Sequence, residues 1–438
     1  MTIQYWADHT FLENGVPKYG GDFGELTHDG NFCADGLVSH GRKFKAGTLN
    51  AKYVYQNARF ELSEDSILVT NLYDFTNLNK YILKIDIKVD GQVISEKEYR
   101  LDLQPKQTEK IKILIPERCT WGAFAVCRLL DTSGYEVAMT ELKLPSLIHL
   151  PAQESACDQV MIEEQNQLYL IKTGNTEYRI SKLLGMLVSM KRDGIEQLLE
   201  PMRLTVWRAP IDNEREIVRK WGRGINSWEG ENLDRTINNV HNTYIDNNSI
   251  IVEGCLAGVG RAPFLSYTLY FSFYNCGRVN IKLSAKVREN FTWLQRLGFE
   301  FVTPKEHNRF SYFGRGPLEN YCDMYLHTTT DIFESTAENE YYEYIMPQEH
   351  GNHTECKWLE QKGGLKFTAD KLFEINVSNY TTQALTKATH IDELVSNDAV
   401  NIRIDYKNSG VGSHSGGPEL LECYRLSDKN IDFSFAME

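Results

Sequence analysis

Strict alternation of apolar and polar residues is what most constrains this chain. The run Val279-Asn280-Ile281-Lys282-Leu283-Ser284-Ala285-Lys286-Val287 puts every apolar side chain on one face of an extended strand. Such a strand is buried on one side and solvated on the other, as in antiparallel sheets. Ile402-Arg403-Ile404-Asp405-Tyr406 repeats the pattern and predicts a second half-solvated strand. Leu83 to Val89 alternates as well, Asp90-Gly91 supplies a turn, and Val93-Ile94 resumes, which predicts a hairpin. Ile111 to Ile115 ends at Pro116, and Phe124 to Cys127, running on to Leu130, adds an apolar strand. Helical periodicity is confined to Glu214 to Trp221, where Ile217, Val218 and Trp221 share a face. The 23 Tyr, 20 Phe and 7 Trp also favour strands over helices. The predicted fold class is all-β.

A chain of 438 residues exceeds one typical domain. Residues 1–45, dense in Gly, Asp and His and without apolar periodicity, read as a loop. So long a loop is unusual unless it is functional or packs on something else. Residues 46–147 carry about seven short strands and predict an immunoglobulin-like sandwich, although the Cys-Trp-Cys signature of antibody domains is missing. Leu144 to Cys157 reads as a linker. Residues 158–438 then predict one large two-sheet sandwich.

Charge and cysteine usage exclude several function classes. The formal net charge of −13 repels nucleic acid and anionic lipid, so neither is an expected partner. Nine scattered cysteines, an odd number with no CxxC, argue against a disulfide framework and for a reducing cytoplasm. Met1 to Trp6 has neither the basic nor the apolar region of a signal peptide, and no run is long enough to span a membrane.

Chemistry is harder to place. Hydrolysis of a glycosidic bond needs two carboxyl groups flanking that bond. Glu319 with Asp323, and Asp212 with Glu214, are candidate pairs, but carboxylates beside Gly, Pro and Asn usually cap turns or pair with Arg. His350, His353 and Cys356 are zinc-like ligands at steps of three, yet Gly351-Asn352 argues against the helix that would align them. Ser413-His414-Ser415-Gly416-Gly417 lacks the nucleophile elbow of serine hydrolases and reads as a turn. Trp207, Trp293 and Trp358 are able to stack on sugar rings, with core packing as the default. The residues by themselves define no self-sufficient catalytic constellation.

Six ordered strings go further. They are Trp6-Ala7-Asp8-His9; Tyr19 to Leu37, with Tyr19-Gly20-Gly21-Asp22-Phe23-Gly24 and Asp29-Gly30-Asn31-Phe32-Cys33-Ala34-Asp35-Gly36; Arg208-Ala209-Pro210-Ile211-Asp212-Asn213; Gly316-Pro317-Leu318-Glu319-Asn320-Tyr321; Pro347-Gln348-Glu349 with Gly351-Asn352 and Trp358; and Gly412 to Leu420. Together they resemble the C-terminal portion of large β-galactosidases of the glycoside hydrolase 2 type. The resemblance implies the end of a (β/α)8 barrel, a second immunoglobulin-like domain and a final galactose-mutarotase-like β-supersandwich.

The family's acid/base and nucleophile Glu residues lie upstream of the first string, so no residue here inherits a catalytic role, and the catalytic magnesium ligands are upstream too. The resemblance does carry over a partial sodium site, from the Phe32 backbone oxygen and the Asp35 side chain, with a further ligand from the upstream part. Both are oxygen donors, as a hard cation prefers. It also places Arg208, Asp212, Asn213, His414 and Gly416 at one wall of the substrate pocket. His350 departs from the family, which usually has Asn there, and Gly416 departs where some members have an aromatic residue or Cys.

The implied role is to complete and shape the site that hydrolyses terminal β-D-galactosides, with the chain alone inactive. The implied partners are the galactoside and a barrel-bearing portion or subunit, and a homo-oligomer is compatible with it. Two rivals stand beside this reading: a free-standing carbohydrate-binding module, and a mutarotase-like activity that would need a His and Glu pair no motif places.

Overall fold

The computed structural model describes residues 6–149, 160–215, 227–412 and 419–438. Its sheets are built of antiparallel strands, apart from one short parallel pair at Arg118–Cys119 and Leu147–Ile148. Val279–Val287 forms a strand whose residues alternate between buried and accessible along its whole length, as its sequence requires.

The opening segment is more structured than a loop. Phe11–Glu13 and Val16–Lys18 pair as a hairpin, Phe32–Ala34 forms a 3-10 turn, and Ala46–Val54 is an α-helix where strands were expected. Asn14 and Gly15 adopt the left-handed conformations (φ 52° and 83°) that a two-residue hairpin turn needs. The helix has a weak signal of its own, with Gly47 near its start, no side-chain N-cap and Ala46 as its one buried residue. Contacts with the neighbouring strand Glu136–Lys143 hold it instead. The Tyr53 hydroxyl donates to Glu136 at 2.5 Å, and Gln56, just beyond the helix, bonds Thr140 at 3.2 Å and the Met139 N–H at 2.9 Å.

Seven strands between 58 and 143 form a sandwich of a four-stranded and a three-stranded sheet. Phe60, Ile67, Val69, Leu83, Ile85 and Leu129 belong to its own core. The predicted hairpin joins Ile82–Val89 to Gln92–Tyr99 through Asp90 and Gly91, both at positive φ. The Asp90 carboxylate also accepts the backbone N–H groups of Thr120, Trp121 and Gly122, tying the turn to the next strand.

From residue 160 a five-stranded and a twelve-stranded sheet enclose a second, larger core that runs to Met437. The two cores are bridged by charge. Glu141 accepts the Thr330 N–H at 2.6 Å and its hydroxyl at 2.8 Å, and Lys88 pairs with Asp331 at 2.5 Å. Among the described residues no helix is long and apolar enough to cross a membrane. Of the expected helix Glu214 to Trp221, only Glu214 and Arg215 are described, in one short helical turn.

One expectation fails in an informative way. Ala399–Asn408 is a strand, but it is not half-solvated: Arg403 and Asp405 are as buried as Ile402 and Ile404. Its polar face packs on other polar groups. Arg296 reaches Asp405 at 2.5 Å, and Arg403 bonds Glu300 at 3.0 Å and Asn376 at 2.7 Å. Charges removed from water are tolerated only when so paired.

Candidate functional site

The buried polar layer borders a cavity of about 180 Å³. Asp212, Asn213, Glu319, Tyr321, Glu349 and Lys45 are among its lining residues, so the opening segment and the large sandwich share it.

Each wall has a local cause. Glu319 and Tyr321 follow the strand Arg309–Gly316, where the Gly316–Pro317 peptide is cis. Between them Asn320 is fully buried and locks the turn, donating to the carbonyls of Arg315 and Leu318 at 3.0 Å and accepting from Thr354 at 2.9 and 2.6 Å. Glu319 accepts the Tyr344 hydroxyl and, at 2.9 Å, the Gly351 N–H; burial pushes its carboxyl up. The Tyr321 hydroxyl is buried without a partner. Glu349 leans on the Arg296 guanidinium at 3.4 Å.

The predicted wall residues separate into layers. The Asp212 N–H is accepted by Gln348 at 2.8 Å, and its carboxylate accepts the Asn31 side-chain amide. Asn213 lines the cavity beside it. Arg208 stands one layer behind and is fully buried, bonding Glu214 at 2.6 Å and the backbone carbonyls of Ser409 and Gly410. Glu214 also accepts the Ile211 N–H, so the Asp212 and Glu214 candidate pair serves a turn. Asp323 accepts the N–H groups of Val411 and Gly412, which directs its carboxylate to the stretch leading into residues 413–418. Gly410 is required there, because a Cβ would come within 2.4 Å of Asp323. His414 and Gly416 lie outside the described residues.

The opening segment is clamped to the large sandwich. The Tyr19 ring stacks on His390 at 4.5 Å and its hydroxyl bonds the Thr389 carbonyl, while Asp22 pairs with His390 at 2.8 Å. Lys45 bonds Asp8 at 2.7 Å and the Ala34 carbonyl at 3.1 Å. Gly36 passes so close to Ala7 that a Cβ would lie 2.2 Å from its carbonyl carbon. Of the sodium candidates, Phe32 lies in the 3-10 turn and Asp35 ends it; one Asp35 carboxylate oxygen is buried with no hydrogen-bond partner. Lys45 and Tyr344 were not singled out from sequence, and Asn31 and Gln348 only as members of longer strings, since each acts across a gap of tens to hundreds of residues.

His353, Trp207 and Trp293 are spent on structure. Both ring nitrogens of His353 are engaged, one by Glu340 at 2.7 Å and one near Tyr312 and the Arg315 carbonyl, so it has no face for zinc. Among the described residues no group of three or more His, Cys, Asp or Glu is placed to hold a metal. Trp207 donates to Thr386 at 3.3 Å, and Trp293 packs edge-on against Trp228 at 4.3 Å.

Three family models match the chain in succession. Residues 172–437 match the family model "Beta galactosidase small chain", residues 67–145 match "Beta-galactosidase, domain 4", and residues 3–60 match the TIM barrel domain of glycosyl hydrolases family 2. An all-β portion of a glycoside hydrolase is thus the class that fold and site define. More narrowly, the chain belongs to the β-galactosidase small chain family, and the order of the three matches is that of a C-terminal portion. It is 29% identical to the β-galactosidase of Actinobacillus pleuropneumoniae, over 98% of this chain and 44% of that protein. It is also 29% identical to that of Staphylococcus xylosus, over 99% and 45%. The chain therefore spans less than half the length of these curated relatives. Among solved structures, the galactose 1-epimerase of Lactobacillus acidophilus NCFM aligns over 64% of this chain and 97% of its own, with 8% identity and a TM-score of 0.31.

Proposed function

We propose that this chain completes and shapes the active site of a β-galactosidase whose barrel-bearing portion supplies the acid/base and nucleophile carboxylates. The reaction is hydrolysis of terminal β-D-galactosides through a glycosyl-enzyme intermediate. Chain residues do no bond chemistry in this reading; they bind, orient and exclude water. The observation that carries it is the exposed apolar surface of the opening segment. Trp6, Phe11, Leu12, Phe23, Leu26, Phe32 and Phe44 all expose more than half of their surface, on a segment matched to the barrel family. A concentration of that kind marks an interaction site. The same segment is clamped to the large sandwich beside the cavity through Tyr19, Asp22 and Asn31. At about 180 Å³ the cavity is smaller than the 300–1,000 Å³ usual for ligand sites, which fits a wall rather than a whole pocket.

Sodium fits the unpartnered Asp35 oxygen and the Phe32 carbonyl, where a hard cation would supply a fixed charge for a substrate hydroxyl. Magnesium belongs to the barrel in this reading. The eight described cysteines are free, which supports a cytoplasmic setting. The test is hydrolysis of a nitrophenyl galactoside by the chain alone and by the chain mixed with a separately expressed barrel portion. We expect activity in the mixture only. Turnover by the chain alone would overturn the reading and return attention to Glu319.

A further inference from the structure

A second and larger cleft, of about 430 Å³, is lined by Cys322 and Tyr325 and shares no lining residue with the candidate site. The strand ends at Leu372 to Glu374 and Tyr406 to Asn408, with Cys423 to Leu426, form its walls. Its size falls within the range of ligand pockets.

Three observations define what it takes. First, Tyr325, Tyr406 and Tyr424 line it. Arg315 already lies over Tyr325 and Lys407 over Tyr406, each at 4.9 Å, leaving Tyr424 the one of the three without a cation over its ring among the described residues. Second, its charges are matched locally. Glu355 pairs with Arg315, Lys407 with Asp428 at 3.2 Å and Arg425 with Glu419 at 3.1 Å. Glu374, held by the Asn352 and Asn408 amides, is pushed up to about 7 by burial, so near neutrality it carries about half a charge. Third, a hydrogen-bond acceptor is left over: the Asn408 side-chain carbonyl oxygen is buried with no partner. A buried acceptor without a donor is costly unless something fills it.

A charge-balanced cleft with a stacking ring and a spare acceptor suits a neutral, polyhydroxylated ligand rather than an anion or a peptide. We infer that this cleft is a saccharide-binding site, separate from the cavity at Asp212 and Glu319, and independent of any barrel. Tyr424 stacks on the sugar face, and Asn408 receives a sugar hydroxyl.

The experiment titrates D-galactose, D-glucose and lactose into the full chain, followed by saturation-transfer NMR and calorimetry. Saturable binding is expected for the unmodified protein. Cys423→Trp, at an exposed position on the rim, should fill the cleft and weaken binding about tenfold or more. Tyr424→Ala should do the same by removing the stacking ring, and serves if the first variant is misfolded. Val93→Ala, at an exposed position of the small sandwich, should leave this binding unchanged. No saturable binding, or full binding by both cleft variants with native melting curves, would overturn the inference, as would an equal loss of binding in Val93→Ala. The readout is binding without turnover, so its failure is distinct from failure of complementation.

Discussion

Buried charge decides most of the behaviour of individual residues in the large sandwich. Arg208, Arg296 and Arg403 are among its largest fully buried side chains, and each is neutralised by a carboxylate within hydrogen-bond reach. Glu374 differs, since it is held by the neutral Asn352 and Asn408 amides. Its pKa in the folded protein, about 7, lies above the ordinary 4.5. The folded state therefore keeps a proton that the unfolded chain releases between those values. The stability this group contributes is complete below the lower value and is lost as the pH rises through the upper one. The loss should be on the order of 3 kcal/mol. Glu374→Gln keeps an acceptor and a donor but cannot titrate. Urea unfolding on either side of that window should show the decline in the unmodified protein and a flatter profile in the variant. Equal profiles would assign the pH dependence elsewhere.

At the scale of elements, close backbone approach is what the polar layer demands. Gly298, in the strand Arg296–Pro304, lies against Asp405 and the Ile404 carbonyl, which a Cβ would meet at 2.1 and 2.5 Å. Both neighbours are held: Asp405 by Arg296, and Ile404 in the ladder with Phe299. Gly298→Ala should therefore force the two strands apart and cost about 1–3 kcal/mol in denaturant unfolding, as overpacking does. A neutral result would mean that the strand pair shifts freely. The same packing explains why alternation misled at Ala399–Asn408 and not at Val279–Val287. A polar residue in every second position fits a solvated face and a buried charge network equally well. Lys282 and Lys286 meet water, whereas Arg403 and Asp405 meet Glu300, Asn376 and Arg296.

Across the whole molecule, the opening segment couples the small sandwich, the large sandwich and the cavity. Its clamp at Tyr19, Asp22 and His390 is partly exposed, and exposed ion pairs contribute only about 0–1 kcal/mol. His390→Ala should accordingly leave the unfolding of the large sandwich almost unchanged. Limited proteolysis should nonetheless cut residues 6–45 faster, and complementation by the barrel portion should weaken. Unchanged proteolysis would show that Asn31 and Lys45 hold the segment without the clamp.

The all-β class, the Asp90-Gly91 hairpin and the family were determined by sequence alone, because strand periodicity, turn chemistry and ordered motifs are local properties of the chain. The Arg-Ala-Pro-x-Asp-Asn string also pointed to Asp212 and Asn213, which line the cavity. The Asn14-Gly15 turn was equally local, but its flanking strands are three residues each, too short to alternate visibly. The helix Ala46–Val54 was not legible, since its stability comes from Glu136 and Thr140 rather than from its own residues. Only the tertiary structure set Arg208 behind the cavity and brought Asn31 and Lys45 to Asp212 and Glu319. Those juxtapositions depend on side-chain contacts across the chain, whose energies appear only when folding brings the partners together.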